Sequence, residues 1–156
     1  VNLHRHDADL ALRMIAPDSG NLTVRRVATM GFGLYGPPDA PRPTRGVTWP
    51  DTETFDLLRT WTRAMLPDAA GQLMLNTLEA QVAAVRDGLG IGILPHFLAR
   101  RAGLRLLAAA LPDGSLMERP VLLVTHADLA ASRRIQAVAE AITQQLREMR
   151  QELIEG

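Results

Sequence analysis

An α/β fold of two lobes, with mainly parallel sheets flanked by helices, is predicted by three features of the sequence. The stretch from Leu75 to Pro95, LNTLEAQVAAVRDGLGIGILP, reads as a strand end, a helix and a second buried strand in one α/β unit. Strand and helix patterns alternate on either side of it, which calls for a parallel sheet covered on both faces. Two places, near Thr29 and near Leu107, suit a crossing from one lobe to the other. They divide the chain into an outer lobe of residues 1–29 and 108–156 and a middle lobe of residues 30–107.

In the central stretch, Asn76 or Thr77 offers a side-chain oxygen to the free N–H groups of a helix start, and Glu79 stands three residues after Asn76 as in a capping box. Leu78, Val82, Val85 and Leu89 recur at helical spacing beside a polar face of Gln81, Arg86 and Asp87. Gly88 and Gly90 suit the left-handed geometry that closes a helix, and Ile91 to Leu94 form an apolar run stopped by Pro95. A dinucleotide loop needs its glycines between a strand and the helix that follows. These follow a helix and open a strand, which favours a close-packing turn.

In chain order, Asp9 to Met14 reads as a buried strand with Leu10 and Leu12 on one face, followed by a Pro-Asp-Ser-Gly turn at residues 17–20. Leu22 to Val27 and Phe32 to Tyr35 read as two short strands meeting near Thr29 to Gly31. The Pro-rich segment from Gly36 to Pro43 is a loop. GVTW is a short strand, and Pro50-Asp51-Thr52 opens a helix to about Met65 with Phe55, Leu58 and Met65 inward, ended by Pro67. Gln72 to Leu75 is a strand, and His96 to Ala102 a short helix stopped by Gly103. LRLL is the expected return crossing, and RPVLLVT a strong strand. Asp128 or Ser132 starts a final helix whose inner stripe is Ile135, Val138, Ile142, Leu146 and Met149.

Apolar residues make up 47% and charged residues 22%, an ordinary globular balance, and no apolar run reaches membrane-spanning length. A cytoplasmic location is the default, with no membrane partner. Cysteine is absent, which removes disulfides, thiolate metal sites and cysteine nucleophiles. All seventeen basic residues are Arg and are balanced by seventeen acidic ones, so no overall field draws nucleic acid. The chain has no initiator Met, and Val1 to Asp7 reads as the tail of an element that begins earlier, so a fragment is expected.

The segments DADLALR, VRRVATMGFGLYG, LNTLEAQVAAVRDGLGIGILPHFLARR and RPVLLVTHADLAASRRIQAVAEAI, in this order and spacing, resemble the regulatory domain of LysR-type transcriptional regulators over nearly the whole chain. The resemblance implies a periplasmic-binding-protein-like fold in which a small effector bound between two lobes controls DNA binding by a linked winged helix-turn-helix domain. Against that family, the DNA-reading domain, its linker helix and the first strand and helix of the regulatory domain are expected to lie outside this sequence, which gives an incomplete first lobe. The resemblance also implies a homodimer or homotetramer in the parent protein. The alternative is a free-standing α/β solute-binding protein or small-molecule enzyme.

Thr77 is the leading candidate for an effector contact, with Asn76 and Leu78 beside it. The resemblance places effectors at this strand-to-helix junction, and a hydroxyl with free N–H groups at a helix start forms an anion site. The same residues equally suit a plain helix cap. Arg13, after a strand, suits a carboxylate, so the effector class leans toward an organic acid; an internal salt bridge is the other reading. Thr29 and Met30 lie at the first crossing and line a cleft or act as a hinge. Trp49 stacks on a ligand or is a buried aromatic. His4 and His6, with Asp7 and Asp9 near, lack a second cluster to complete a ligand set, so no metal and no cofactor are expected. Ser19, Ser115 and Ser132 stand in no nucleophile-elbow context, and an enzyme is not expected.

Overall fold

The computed structural model describes residues 8–18, 20–39, 41–67 and 71–156, so His4, His6, Asp7 and Ser19 lie outside the described residues. The strands are β1 (Leu10–Arg13), β2 (Leu22–Gly36), β3 (Gly46–Thr48), β4 (Gln72–Met74), β5 (Ile91–Pro95), β6 (Arg105–Ala108) and β7 (Met117–His126). The helices are α1 (Asp56–Met65), α2 (Leu78–Arg86), α3 (His96–Arg101), α4 (Arg133–Glu148) and α5 (Arg150–Ile154). Two compact units form: unit 1 is Val1–Met30 with Arg119–Gln151, and unit 2 is Gly31–Glu118 with Glu152–Gly156.

Unit 2 holds the parallel part of the sheet. β3 pairs in parallel with β4 through Val47 opposite Leu73, and with β5 through Val47 opposite Gly92. All five residues of β5 are buried. Close approach of these strands depends on missing side chains, since a Cβ on Gly90 would lie 2.8 Å from Val47 Cγ2 and 3.0 Å from the Arg45 carbonyl. Of the two glycines expected to close α2, only Gly88 is left-handed, at φ 79°. Gly90 is there for proximity instead. On the other side of β5, the later part of β2 pairs antiparallel with it, Phe32 opposite Pro95 and Tyr35 opposite Gly92, and β6 pairs antiparallel with β2.

β2 is one strand of fifteen residues, not two short strands with a joint at Thr29 to Gly31. The glycines at 31 and 33 do not break it, because each is bare where another group comes close: a Cβ on Gly33 would fall 2.7 Å from His96 Cε1. α1 also differs in its inner face. A 3₁₀ turn at Glu53–Phe55 precedes it, and the buried residues are Leu58, Trp61 and Thr62, at i, i+3 and i+4 of one helix face, while Phe55 and Met65 are half-buried at the two ends of the segment. Trp61 then meets the Phe32 ring at 5.4 Å between centroids. The central cluster joins Tyr35, Val47, Ala84, Val85, Leu94, Ala99 and Leu104, with Leu73, Leu75, Leu78 and Val82 packed around it. Leu89 falls beyond α2 and is exposed.

Unit 1 has the strand order β1-β7-β2. β1 runs antiparallel to β7, from Leu10 opposite Thr125 to Arg13 opposite Leu122. The sheet is mixed, with parallel pairing of β3 to β4 and β5 and antiparallel pairing of β1 to β7 and of β2 to β5 and β6. Along β7 alternate residues face inward, with Arg119, Val121, Leu123 and Thr125 buried. β1 is a half-buried edge strand rather than a buried one, and its Leu12 is exposed. The final helix α4 is preceded by Ser132, while Asp128 sits in a 3₁₀ turn before it. Ile135, Ala139, Ile142, Leu146 and Met149 form the inner stripe at alternating spacings of four and three, and Val138 is 46% exposed.

One buried histidine closes the β2 side of unit 2. His96 Nδ1 lies 2.6 Å from the Tyr35 hydroxyl, and the rings meet edge to face. A Cβ on Gly156 would come within 2.8 Å of the same imidazole, and the Arg100 guanidinium donates to the Glu155 carbonyl at 2.6 Å. Burial, with the Arg100 charge adding to it, holds His96 below the usual imidazole range, and burial raises Tyr35 so that the phenol keeps its proton in this hydrogen bond. As pH falls, the unfolded chain takes up the imidazole proton before the folded one does. The stability due to neutral His96 is therefore complete above the ordinary value of about 6.5 and is lost as pH drops through it toward the lower folded value. Thermal melts between pH 8 and 5.5 are expected to show Tm falling at the acid end, with His96→Gln flattening that fall; an equal slope in both proteins would contradict the assignment.

Candidate functional site

The parallel strands β3 and β4 end side by side, since Thr48 pairs with Met74, and the Leu75 N–H donates to the Thr48 carbonyl at 3.0 Å. The chain then enters α2 through Asn76 and Thr77. Thr77 is the cap, extended at φ −129° and ψ 149°, and its Oγ1 accepts from the Ala80 N–H at 3.2 Å. This resolves the choice between Asn76 and Thr77 and removes the capping box, because Ala80, not Glu79, now occupies the third helical position. The N–H groups of Leu78 and Glu79 are the first two of the helix and have no intrahelical acceptor. Both carry the positive end of the helix dipole.

Behind this turn lies Gln81, which the helical pattern assigned to the polar face. It is completely buried. Its Nε2 donates to the Thr48 carbonyl at 3.1 Å and to the Leu75 carbonyl at 3.0 Å, so one amide ties α2 to the ends of both strands. Its Oε1 is buried without a hydrogen-bond partner among the described residues. The sequence did hold a signal for it, since Gln81 falls three residues after Leu78 and four before Val85, on the buried stripe. Trp49, the residue after β3, is buried and stacks on Phe55 at 4.6 Å and 23°. Its indole face is thus occupied from within, while its Nε1 lacks an acceptor among the described residues.

Asn76, Thr77, Leu78 and Trp49 therefore stand at neighbouring strand ends of unit 2. The other three candidates belong to unit 1. Arg13 is exposed at the end of β1 and forms no ion pair among the described residues. Thr29 Oγ1 accepts from the Arg26 guanidinium at 2.5 Å, and Met30 is the last residue of the unit before β2 passes into unit 2. A cavity of about 400 Å³ in unit 1, beside α4, is lined by Leu10, Leu123, Ile135 and Ala139 with Arg25 and Glu140, and none of the candidates contributes to it. Among the described residues no group of His, Asp or Glu is placed to hold a metal ion.

The family model of the LysR substrate binding domain matches residues 2–147. The chain belongs to that family. It is a ligand-sensing regulatory domain of the LysR type, and the family is one of effector-binding domains rather than of enzymes. No curated protein matches the sequence. Among solved structures, the CcmR regulatory domain from Synechocystis PCC6803, in complex with 2-PG, aligns with TM-score 0.69 and 16% identity over 94% of this chain and 77% of its own. The C-terminal domains of a LysR family protein from Agrobacterium tumefaciens align with TM-score 0.67 and 16% identity over 95% and 77%. Full-length LysG from Corynebacterium glutamicum with bound effector Arg gives 0.62 and 20% over 94% of this chain and 53% of LysG, so the domain spans about half of that regulator. These likenesses establish the periplasmic-binding-protein-like α/β fold of LysR regulatory domains. No helix among the described residues of this LysR domain is long and apolar enough to cross a membrane.

Replacing Gln81 separates its hydrogen bonds from its bulk. Gln81→Leu leaves the Leu75 carbonyl without its side-chain donor and is expected to cost about 1–3 kcal/mol. Gln81→Glu sets oxygens against both carbonyls and is expected to cost more at pH 7. Urea unfolding of the two variants checks the order; wild-type midpoints in both would contradict the role of the amide.

Proposed function

We propose that this LysR-type domain binds a small organic acid as its effector at the N-terminal end of α2, with Thr77 as the principal contact and Asn76 and Leu78 beside it. The observation that carries this reading is the cap itself. Thr77 Oγ1 engages one N–H, at Ala80, which leaves the Leu78 and Glu79 N–H groups at the positive end of a nine-residue helix. An oxyanion meets such a group of donors with little rearrangement. Trp49 supplies a wall at the adjoining strand end. Arg13, Thr29 and Met30 are the contacts proposed from unit 1, Arg13 because an exposed guanidinium without a carboxylate partner among the described residues suits an organic acid.

In the parent protein the chain acts as a two-lobed sensor, with an outer lobe of residues 1–29 and 108–156 and a middle lobe of residues 30–107, a division that units 1 and 2 follow except at Met30, residues 108–118 and residues 152–156. Binding of the acid shifts the population toward one arrangement by its differential affinity for the two, and a winged helix-turn-helix elsewhere in the parent reads that shift out on DNA. The parent works in the cytoplasm as a homodimer or homotetramer.

A thermal-shift screen of the protein against small organic acids tests this. A ligand that binds only the folded state raises Tm with concentration. The expected result is a dose-dependent rise with at least one acid, lost in Thr77→Val while the unliganded melt falls by no more than the cost of a helix cap, about 0.5–2 kcal/mol. An acid that stabilises wild type and Thr77→Val alike would remove Thr77 from the site.

A further inference from the structure

The cavity of about 400 Å³ in unit 1 lies between α4 and the strands β1, β2 and β7. Its floor is apolar: Leu123 and Ile135 are buried, with Leu10 and Ala139 half-buried beside them. Thr125 also lines it, but its hydroxyl is engaged with the Asp9 carbonyl at 2.9 Å. The rim residues Thr23, Arg25, Gln136 and Glu140 are exposed, so the cavity opens to solvent on its polar side. A pocket of this size, apolar within and bearing a few polar groups, is the usual form of a small-molecule site.

The rim is sorted by charge. On the helix side Gln136 and Glu140 stand four residues apart and adjoin on one face of α4. Gln136 Nε2 donates to the Ala130 carbonyl at 3.3 Å, which leaves its Oε1 as an acceptor, and Glu140 forms no ion pair among the described residues. On the strand side Thr23 and Arg25 stand two residues apart on one face of β2. Arg25 Nη2 donates to Thr143 Oγ1 at 3.0 Å, and that hydroxyl donates to the Ala139 carbonyl at 2.7 Å. The guanidinium is thereby held against the turn of α4 that carries Glu140, yet the two charges do not pair with each other.

We propose that this cavity binds a free α-amino acid with an apolar side chain. The side chain fills the floor of Leu10, Leu123, Ile135 and Ala139. The α-carboxylate meets the Arg25 guanidinium and the Thr23 hydroxyl, and the α-ammonium meets the Glu140 carboxylate and Gln136 Oε1. One carbon joins the two charged groups of the ligand, so a zwitterion bridges an arginine and a glutamate that stand close without pairing. A simple acid leaves Glu140 unmet, and a simple amine leaves Arg25 unmet. Unit 1 alone lines the cavity, without Asn76, Thr77, Leu78 or Trp49, so the inference does not rest on the effector reading of the α2 terminus.

Thermal melts of the full chain with L-leucine, glycine, 4-methylpentanoate and 3-methylbutylamine, at constant ionic strength, test this for wild type, Ala139→Leu, Glu140→Gln and Thr77→Val. Glycine carries both charges without the side chain, so stabilisation by general exclusion of a cosolute from the surface is read from it. The expected result is a saturable rise in Tm with leucine, beyond glycine and beyond either analogue that lacks one charge. Ala139→Leu, which fills the floor, abolishes that rise. Glu140→Gln, on the exposed face of α4, raises the leucine concentration at half effect about tenfold, as loss of one hydrogen bond to a charged group implies. Thr77→Val keeps the leucine response. No rise beyond glycine, or a rise that wild type, Ala139→Leu and Glu140→Gln share, would overturn the proposal; should Ala139→Leu not fold, equal responses in wild type and Glu140→Gln do the same. A rise with 4-methylpentanoate as large as that with leucine would overturn the amino acid as the ligand class. Loss of the leucine response in Thr77→Val with its retention in Ala139→Leu would overturn the cavity as the site.

Discussion

The Gln81 amide donates both of its hydrogens to main-chain carbonyls, Thr48 at the end of β3 and Leu75 beyond the end of β4. The Thr48 carbonyl also accepts from the Leu75 N–H, whereas the Gln81 amide is the donor recorded for the Leu75 carbonyl, and burial makes an unmet acceptor expensive. One side chain from the first full turn of α2 meets both. The helix is thereby held at a fixed height against two strand ends, and the turn of Asn76 and Thr77 has no freedom to drift. The direction in which the Leu78 and Glu79 N–H groups point follows from that contact. Val85 and Ala84 bury the same helix face against the core, yet apolar packing is non-directional and would tolerate a small slide that the amide does not.

Strand spacing imposes the second constraint. Gly90 and Gly92 are bare because Val47 lies against them, which brings β3 tightly alongside β5 and so aligns the carboxyl ends on which the α2 turn is built. On the other side of β5, Gly33 leaves room for the His96 ring and its bond to Tyr35. Unit 2 thus uses glycine for proximity and buried polar pairs for direction. Unit 1 is built more thinly: Val121, Leu123, Val124 and Ile135 are its buried hydrophobic residues among those described, and Leu12, Ile15, Val24 and Val138 stay exposed.

The segment from Leu75 to Pro95 was legible because hydrophobic period, cap and glycine agree there. Thr77, α2, Gly88 and the buried β5 all stand where the pattern puts them. The position of Gln81 on the buried stripe was legible, but its reason for entering the core was not, since a polar side chain is buried only when specific acceptors wait for it, and those come from Thr48, thirty-three residues away, and from Leu75. Trp61, three residues after the inward Leu58, lies on the stripe that the helical pattern already marked, and β2 looked like two strands because glycine ordinarily marks a break.

Backbone NMR addresses the α2 terminus most directly. The amide resonances of Leu78, Glu79 and Ala80 would be followed while an organic acid that raises Tm is titrated into the labelled protein. The account predicts saturable downfield shifts of the Leu78 and Glu79 protons, as new hydrogen bonds to an oxyanion produce, with a midpoint matching the thermal response. Amides at 78–80 that stay fixed while resonances elsewhere titrate would contradict it.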